Sequence, residues 1–246
     1  MKHLVIDLET KRSFDEVGGS HNKAKMGVSV VGTYHYDEDK YVAYREDKFS
    51  ELTRVLKEAE LVIGFNLHGF DYPVLSVELG DWVYNLPTLD LMMEAQKAIK
   101  QRVSLDSIAK ATLGSGKIGS GLDALEYYRQ GNWEKLERYC LEDVKLTKDI
   151  YEYAKKHGHV LFQKGYKKGI IAMEFGHSPY KAIFDEALAT KSSVKMIYGA
   201  KQRLVDVIRF DGMYVRAFDH TKKEELTFRL DRVEGAELVS SSTPLF

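Results

Sequence analysis

The chain of 246 residues is long enough for one large domain, or for a medium-sized domain and a small one. Its formal net charge of −1 excludes a polybasic binder of the histone type. Its single cysteine, Cys140, excludes an internal disulfide framework and a thiolate zinc site within one chain. No apolar run approaches the roughly 20 residues of a transmembrane helix, and the N-terminus lacks the pattern of a signal peptide. We therefore expect a cytoplasmic protein without a membrane partner.

Residues 1–156 predict a mixed α/β fold, a sheet flanked by helices, because short apolar runs alternate with amphipathic segments. The apolar runs of strand length cover residues 3–8, 28–36, 40–44, 61–65 and 86–89. Helices are expected at residues 50–58, 70–79, 90–98, 104–113, 121–130 and 133–156. Candidate N-cap residues stand at the start of four of these helices, namely Ser50, Ser104, Ser120 and Asn132.

The rest of the chain has a different pattern. Residues 157–185 are rich in Gly, Lys and aromatic residues, and we expect them to connect two domains, with room for one helix. Residues 186–239 alternate between apolar and polar side chains, which predicts a small all-β domain, a barrel or a curled sheet. The pair Asp211-Gly212 predicts a hairpin inside it, and the tail 240–246 is expected to be mobile.

Two acidic residues stand at the end of the first predicted strand. Asp7 and Glu9 are two positions apart, so strand geometry directs both side chains to one face. Neighbouring like charges repel, and a bound cation removes that cost. An ordinary strand end that runs into solvent explains the same pair, so the pair alone does not predict a site.

A further acidic residue opens a predicted helix. Asp71 follows the strand expected at residues 61–65, and a carboxylate is favourable at a helix N-terminus even without a ligand. Asn66 stands just past the end of the same strand. Its amide either binds a substrate phosphate or sugar, or closes the turn.

The longest predicted helix carries an acidic residue on its apolar face. Leu136, Tyr139, Asp143, Leu146 and Ile150 recur at helical spacing and form one core-facing stripe. A bare carboxylate in such a stripe is costly to bury, unless a metal ion or a basic partner neutralises it. Tyr139 lies one turn before Asp143, so its hydroxyl is expected beside whatever Asp143 binds. The alternative is a core aromatic beside a hydrogen-bonded Asp.

The acidic residues belong to three short motifs. In chain order these are Asp7-Leu8-Glu9, Asn66-Leu67-His68-Gly69-Phe70-Asp71 and Tyr139-Cys140-Leu141-Glu142-Asp143. In this order they resemble the three exonuclease motifs of the DEDD superfamily in its tyrosine-type branch, and residues 104–117 resemble the segment between the second and third motifs. The resemblance covers about residues 1–156. It implies a ribonuclease-H-like fold and a 3′→5′ exonuclease with two divalent metal ions, Mg²⁺ or Mn²⁺.

The resemblance also assigns roles to individual residues. The implied metal ligands are Asp7, Glu9, Asp71 and Asp143, and with Tyr139, which would orient the attacking water, they form the implied catalytic set. The implied substrate contacts are Asn66, Phe70 and Lys117. Carboxylate oxygens suit hard divalent cations, so the residue types agree with these roles. The implied partner is DNA or RNA with a 3′ end, preferentially single-stranded.

Residues 186–239 resemble a WYL domain. The matching segments are Ile197-Tyr198, Arg203-Leu204-Val205 and residues 211–217 and 227–233, although only Tyr214 of the name-giving Trp-Tyr-Leu triplet is present. In that family, basic and aromatic residues bind ligands, often nucleotides or single-stranded nucleic acid. The candidates here are Arg203, Tyr214, Arg216, Arg229 and Arg232. A core tyrosine with solvated or salt-bridged arginines is the alternative.

The function expected from the sequence is therefore a metal-dependent 3′→5′ exonuclease whose C-terminal module binds substrate or a nucleotide ligand. An alternative from a different class is a regulatory protein that uses the same fold as a nucleic-acid clamp, without catalysis. A third is an endonuclease at the same site. The sequence predicts no particular oligomeric state.

Overall fold

The structure is a computed structural model that describes residues 2–117, 119–173, 178, 180–211 and 214–239. It divides into two compact units, Met1–Met173 and Glu174–Phe246. The predicted turn residue Gly212, the neighbouring Met213 and the tail 240–246 lie outside the described residues.

The first unit is built on a five-stranded mixed sheet, as predicted. The strands are β1 (His3–Thr10), β2 (Val28–His35), β3 (Lys40–Tyr44), β4 (Leu61–Gly64) and β5 (Thr88–Asp90). Their order across the sheet is β3-β2-β1-β4-β5. The hairpin strands β1, β2 and β3 are antiparallel, whereas β4 and β5 run parallel to β1. The strand β1 is therefore central, and both its neighbours bury it.

Six helices accompany this sheet, at positions close to those predicted. They are α1 (Phe49–Glu58), α2 (Tyr72–Leu79), α3 (Leu91–Ile99), α4 (Leu105–Leu113), α5 (Gly121–Arg129) and α6 (Trp133–His157). The expected caps Ser104, Ser120 and Asn132 are confirmed as N-cap residues. The side chains of Ser104 and Asn132 each accept a hydrogen bond from a backbone amide of their helix, whereas the amide and hydroxyl of Ser120 donate to the Asp123 carboxylate. The expected cap Ser50 is wrong, because α1 already begins at Phe49. Within the described ranges, no helix has both the length and the apolar composition to cross a membrane.

A π-helical turn replaces the first part of the helix predicted at residues 70–79. It spans Leu67–Asp71 and continues into α2. Asn66 precedes it in the left-handed conformation, with φ of 69°. π-turns of this kind widen the backbone locally and occur often at functional sites.

The helix α6 packs closely on the middle of the sheet at Gly32. A methyl group at this position would lie 2.9 Å from the Cys140 Sγ and 3.0 Å from the Val144 Cγ2. The thiol of Cys140 in turn donates to the backbone carbonyl of Asp7, at 3.5 Å. The absence of a side chain at Gly32 thus lets α6 approach β1 and β2, and this approach sets the height of Tyr139 and Asp143 above the strands.

We expect Gly32→Ala to destabilise the protein by about 1–3 kcal/mol, because the methyl group overpacks the contact between β2 and α6. Urea unfolding followed by circular dichroism measures the change. Gly121→Ala is the matched control, since a methyl group there meets nothing within 4 Å. Equal stability of the Gly32→Ala and wild-type proteins would contradict the close packing.

The stretch 157–185, expected to connect two domains, contains regular structure. The strands β6 (His159–Lys164) and β7 (Lys167–Ala172) form an antiparallel hairpin in the first unit. The helix α7 (Lys181–Thr190) belongs to the second unit.

The second unit contains the antiparallel sheet that the alternating pattern predicts. Its strands are β8 (Ser193–Tyr198), β9 (Lys201–Asp211), β10 (Tyr214–Asp219), β11 (Glu224–Arg229) and β12 (Val233–Val239), in the order β11-β10-β9-β8-β12. The pairing of Asp211 with Tyr214 agrees with the predicted hairpin. Phe184 and Ala187 of α7 pack with Val194, Val205 and other buried side chains in the core of this unit.

Candidate metal centre

Two elements of the first unit, β1 and α6, bring three carboxylates together. Asp7 and Glu9 project from the central strand β1, and Asp143 lies on the face of α6 that packs on the sheet. Ligand oxygens of these three residues all lie within 4.8 Å of one another. The period-two geometry of β1 and the apolar stripe of α6 thus place the predicted residues together.

Asp71 is a fourth carboxylate at the same site. Asp71 is only 3% exposed, and its Oδ1 atom has no hydrogen-bond partner within the part of the chain that the structure describes. The backbone amide of Leu8 hydrogen-bonds to its carboxylate, so the side chain reaches β1 between the positions of Asp7 and Glu9. An orphaned buried carboxylate oxygen is expensive, so a ligand is the natural explanation of its position.

Burial and nearby negative charges raise the pKa of each carboxyl group in this cluster. Burial is the main cause for Asp7, and the nearby carboxylate of Asp143 adds to it, which raises the pKa of Asp7 to about 7. Burial also raises the pKa of Glu9 and of Asp71 well above the usual range, and the charge of Asp7 contributes in both cases. The site thus concentrates negative charge at a cost, and a bound cation removes that cost.

Lys117 is the basic group nearest to this cluster. Its Nζ atom donates to Asp143 at 2.5 Å, and the Asp143 side chain is only 2% exposed. Burial by itself lowers the pKa of the Lys117 ammonium, but the carboxylates of Asp7 and Asp143 outweigh burial and raise it. The predicted substrate-binding residue therefore lies within the carboxylate cluster.

Tyr139 stands one helical turn before Asp143 and points in the same direction. The residue is 6% exposed, and its hydroxyl makes no hydrogen bond to any residue that the structure describes. Burial, and then the charge of Asp143, raise the pKa of the phenol, so it keeps its proton. A buried hydroxyl without a partner beside four carboxylates is suited to hold a water molecule or a substrate oxygen.

The residues present fit a site for hard divalent cations. The clustered groups of Asp7, Glu9 and Asp143 and the nearby Asp71 are all carboxylates, which Mg²⁺ and Mn²⁺ favour, and neither sulfur nor imidazole ligands are among them. The orphaned oxygen of Asp71 adds a ligand atom from a third element. The neighbouring Cys140 is fully buried and its thiol pKa is raised by burial, so it has a packing role instead of a chemical one.

The cluster lies in an open cleft with a volume of about 1220 Å³. Phe70, a predicted substrate contact, lines this cleft and packs edge to face with Phe14, with ring centroids 5.8 Å apart. Asn66, another predicted contact, accepts a hydrogen bond from the exposed Arg102 at 3.1 Å. Two aromatic rings and a guanidinium group therefore stand beside the carboxylates.

A family model for the RNase H superfamily matches residues 6–155. The chain belongs to the RNase H superfamily. A similar solved structure is that of the family B DNA polymerase from the hyperthermophilic archaeon Pyrobaculum calidifontis, with 18% sequence identity and a TM-score of 0.49. That match covers 63% of this chain and 24% of the polymerase chain, so the chain corresponds to about a quarter of the polymerase. No curated protein matches the chain.

The matched RNase H superfamily region contains every residue of the predicted carboxylate cluster, together with Tyr139 and Lys117. The assignment to the tyrosine-type branch and the roles of the individual residues remain predictions, and so does the WYL resemblance of the second unit.

Asp90 has a structural role in this RNase H superfamily domain. Its carboxylate accepts hydrogen bonds from the amides of Met92 and Met93 and so caps α3. It also accepts from the amides of Asn66 and His68, at 2.8 and 3.2 Å. One side chain thus holds the start of α3 and the loop that leads to Asp71.

We expect Asp90→Ala to lower the free energy of unfolding by about 2–4 kcal/mol, because it removes a helix cap and two further charge-assisted hydrogen bonds. Chemical denaturation measures this loss. The exposed Asp47 provides the control, and Asp47→Ala is expected to change stability by less than about 0.5 kcal/mol. A loss of metal affinity in Asp90→Ala without a loss of stability would instead make Asp90 a ligand.

Sequence reasoning did not identify Arg102, Phe14 or the hairpin residues Gln163 and Lys164, all of which line the cleft. Arg102 lies between two helices, and Phe14 lies in the loop after β1. Neither belongs to a motif, so only the folded chain brings them to the cleft.

The candidate binding residues of the second unit make contacts within that unit. Arg203 pairs with the buried Asp219 and lies over the Phe228 ring, 5.6 Å from its centroid. Arg229 is 3% exposed and donates to both carboxylate oxygens of Asp231, at 3.0 and 2.6 Å.

The other three candidates differ in exposure. Tyr214 is 4% exposed and belongs to the buried side of the sheet. Arg216 donates to Glu225 at 3.2 Å, and its side chain is 22% exposed. Arg232 is exposed. The structure therefore leaves Arg232 and part of Arg216 accessible to a ligand.

Proposed function

We propose that the first unit is a metal-dependent 3′→5′ exonuclease that hydrolyses phosphodiester bonds at the 3′ ends of DNA or RNA. The observation that carries the proposal is the cluster of Asp7, Glu9 and Asp143, with Asp71 and the Tyr139 hydroxyl lining the same cleft. This hydroxyl has no hydrogen-bond partner among the described residues. Membership of the RNase H superfamily supports phosphodiester hydrolysis.

Asp7, Glu9, Asp71 and Asp143 would hold two divalent cations, Mg²⁺ or Mn²⁺. When bound, these ions activate water and stabilise the charge that develops on the phosphodiester. The four carboxylates are the only ligands that the protein has to supply, because water and substrate phosphate complete the shell of such ions.

The side chains around the carboxylates position the reactants. The protonated hydroxyl of Tyr139 holds the attacking water, and the pKa of its phenol is raised, so it donates a hydrogen bond and does not itself ionise. The water attacks the terminal phosphorus, the bond to the 3′ oxygen breaks, and the shortened chain leaves with a 3′-hydroxyl group. Phe70 and Phe14 contact the terminal base, and Asn66, held by Arg102, contacts its sugar or phosphate.

A time course on 5′-labelled single-stranded DNA and RNA oligonucleotides tests this proposal, with Mn²⁺, with Mg²⁺ and with EDTA. The expected result is a ladder that shortens from the 3′ end, requires metal and is absent in Asp143→Asn. A parallel substrate with a blocked 3′ end separates the exonuclease from an endonuclease, which would cut both. No cleavage of either nucleic acid under any metal condition would refute the proposal.

The ion pair between Lys117 and Asp143 favours a second candidate, a nucleic-acid clamp without catalysis. In that case Lys117 neutralises the cluster permanently, and the protein binds oligonucleotides equally well with and without divalent ions. A thermal shift assay decides between the two. A melting temperature that rises with Mn²⁺ in the wild type, and does not rise in Asp71→Asn, supports the metal centre.

For the second unit we propose binding of nucleic acid or of a nucleotide through its accessible arginines, Arg216 and Arg232. Guanidinium groups suit phosphate because they donate two parallel hydrogen bonds. Arg232→Gln in the full chain tests the proposal. An unchanged affinity for both oligonucleotides and mononucleotides would refute it.

A further inference from the structure

The hairpin β6–β7 ends in an exposed basic tip. Residues 163–168 are all exposed, and they include Lys164, Lys167 and Lys168. The whole hairpin, residues 159–172, contains no acidic residue. None of the three lysines forms an ion pair with a residue that the structure describes. The tip therefore presents three positive charges that other parts of this unit do not neutralise.

The same tip carries an aromatic ring in solvent. Tyr166 is fully exposed, with a relative accessibility of 107%. Fully exposed large aromatic side chains gain nothing from the hydrophobic effect in the free protein, and they are typical of surfaces that bind a partner. A single exposed ring is common, but here it stands among three lysines.

Two side chains of α4 fix the hairpin in place. The hydroxyl of Ser107 donates to the Gln163 carbonyl at 2.5 Å and accepts from the Gln163 amide at 3.2 Å. The hydroxyl of Thr112 pairs in the same way with Leu161, at 3.0 and 2.9 Å. Each hydroxyl thus satisfies both backbone groups of one β6 residue, as a neighbouring strand would. The tip is held in position before any ligand binds, which lowers the entropic cost of binding.

The base of the tip belongs to the wall of the carboxylate cleft. Gln163, Lys164 and Gly165 line the same cleft as Asp7 and Asp143. The volume of about 1220 Å³ exceeds the roughly 300–1,000 Å³ of most small-molecule pockets. The cleft is therefore suited to a ligand that extends beyond a single monomer, along a path that passes the hairpin.

We infer that the β6–β7 hairpin is a second contact for the substrate strand, on nucleotides upstream of the 3′ end that enters the carboxylate cluster. The three lysines would bind phosphates of the strand, and the Tyr166 ring would stack on one base. The direction of the strand, with its 3′ end at the carboxylate cluster, rests on the proposed function. The binding surface itself does not depend on catalysis.

Nucleic acid fits this surface better than an acidic protein does. The basic tip continues into the cleft wall at Lys164, so one extended strand contacts the lysines and the cleft together. A flexible single strand with one charge at each nucleotide and stackable bases matches both the lysines and the exposed ring.

The experiment measures binding of a fluorescent single-stranded oligonucleotide of about 16 nucleotides to the full chain, by anisotropy, in EDTA and at several salt concentrations. We expect the triple variant Lys164→Gln, Lys167→Gln, Lys168→Gln to bind about tenfold more weakly, with a salt slope lower by about 2, since each phosphate contact contributes about 0.7. Tyr166→Ala is expected to weaken binding about fivefold, as the loss of one stacked base would. The loss is expected to be smaller for a trinucleotide, because a shorter strand contacts fewer of the tip residues.

The control is a second triple variant with the same charge change, made at exposed lysines of the same unit that do not line the cleft: Lys48→Gln, Lys57→Gln and Lys156→Gln. It is expected to keep the wild-type affinity. Equal affinity and salt slope in the hairpin variant and the wild type would overturn the inference, and so would an equal loss in both triple variants. If the wild type cleaves no substrate but the hairpin variant alone loses binding, the surface is supported and the exonuclease proposal fails.

Discussion

Asp7→Asn is expected to abolish hydrolysis and at the same time to stabilise the metal-free protein. The loss of rate is expected to reach at least about 1000-fold, since a metal centre contributes several kcal/mol to the stabilisation of the transition state. Carboxylate oxygens of Asp7, Glu9 and Asp143 lie within 4.8 Å of one another. Burial and the charge of Asp143 raise the pKa of the Asp7 carboxyl group to about 7. A neutral amide of the same size removes this repulsion.

We therefore expect the free energy of unfolding in EDTA to rise by about 1–2 kcal/mol, because one unit of pKa shift corresponds to 1.36 kcal/mol and the cluster is partly neutralised by Lys117. Denaturation in EDTA measures the gain, and denaturation with Mn²⁺ should show a smaller difference or a reversed one. Activity on a 5′-labelled oligonucleotide measures the loss.

Asp149→Asn is the matched control for this prediction. Asp149 lies on α6, and its carboxylate pairs with the exposed Lys145 at 2.7 Å. Its replacement should change stability by less than about 0.5 kcal/mol and leave activity intact. If Asp7→Asn destabilised the metal-free protein as much as a core substitution does, the carboxylates would be held by contacts other than a cation.

Tyr139→Phe is expected to lower kcat about 100-fold with little change in KM, because only the positioning of the water in the transition state is lost. The hydroxyl has no partner among the described residues, so its removal leaves no donor or acceptor unsatisfied. The stability of the variant should therefore equal or slightly exceed that of the wild type. Single-turnover kinetics and thermal denaturation test the two parts separately.

Tyr36→Phe is the control for the loss of a phenol oxygen. The Tyr36 hydroxyl donates to Glu152 at 2.6 Å, and Tyr36 does not line the cleft. Tyr36→Phe should lose about 1 kcal/mol of stability and keep its kcat, the opposite pattern. If Tyr139→Phe instead raised KM and left kcat unchanged, Tyr139 would act in substrate binding.

Two pairs within the carboxylate cluster were predictable from local rules, whereas the grouping of these pairs with Asp71 was implied only by the resemblance to the DEDD motifs. Asp7 and Glu9 share a strand face by period two, and Tyr139 and Asp143 share a helix face by period 3.6. The caps at Ser104, Ser120 and Asn132 are local as well, since each spans three residues. The antiparallel sheet of the second unit follows in the same way from alternation.

Other features depended on contacts between distant residues. The helix α1 starts at Phe49, so Ser50 is not its cap. The π-turn at Leu67–Asp71 replaces regular helix, and Asp90 binds the amides of Asn66 and His68 at this turn from 24 and 22 positions away. The strand β12 lies at the end of the predicted all-β residues, where Glu234, Gly235 and Glu237 interrupt the apolar pattern and pairing with β8 imposes the extended backbone.

The sequence by itself determined the fold class and the chain order of the elements, because these depend on periodicities within single elements, and its three motifs implied the set of acidic residues through their family resemblance. Only the tertiary structure decided what surrounds them. It paired Lys117 with Asp143, brought Arg102 to Asn66, and turned an expected connector into a hairpin fixed by Ser107 and Thr112. Each of these contacts joins residues between 26 and 56 positions apart, and no local pattern specifies a partner at such a separation.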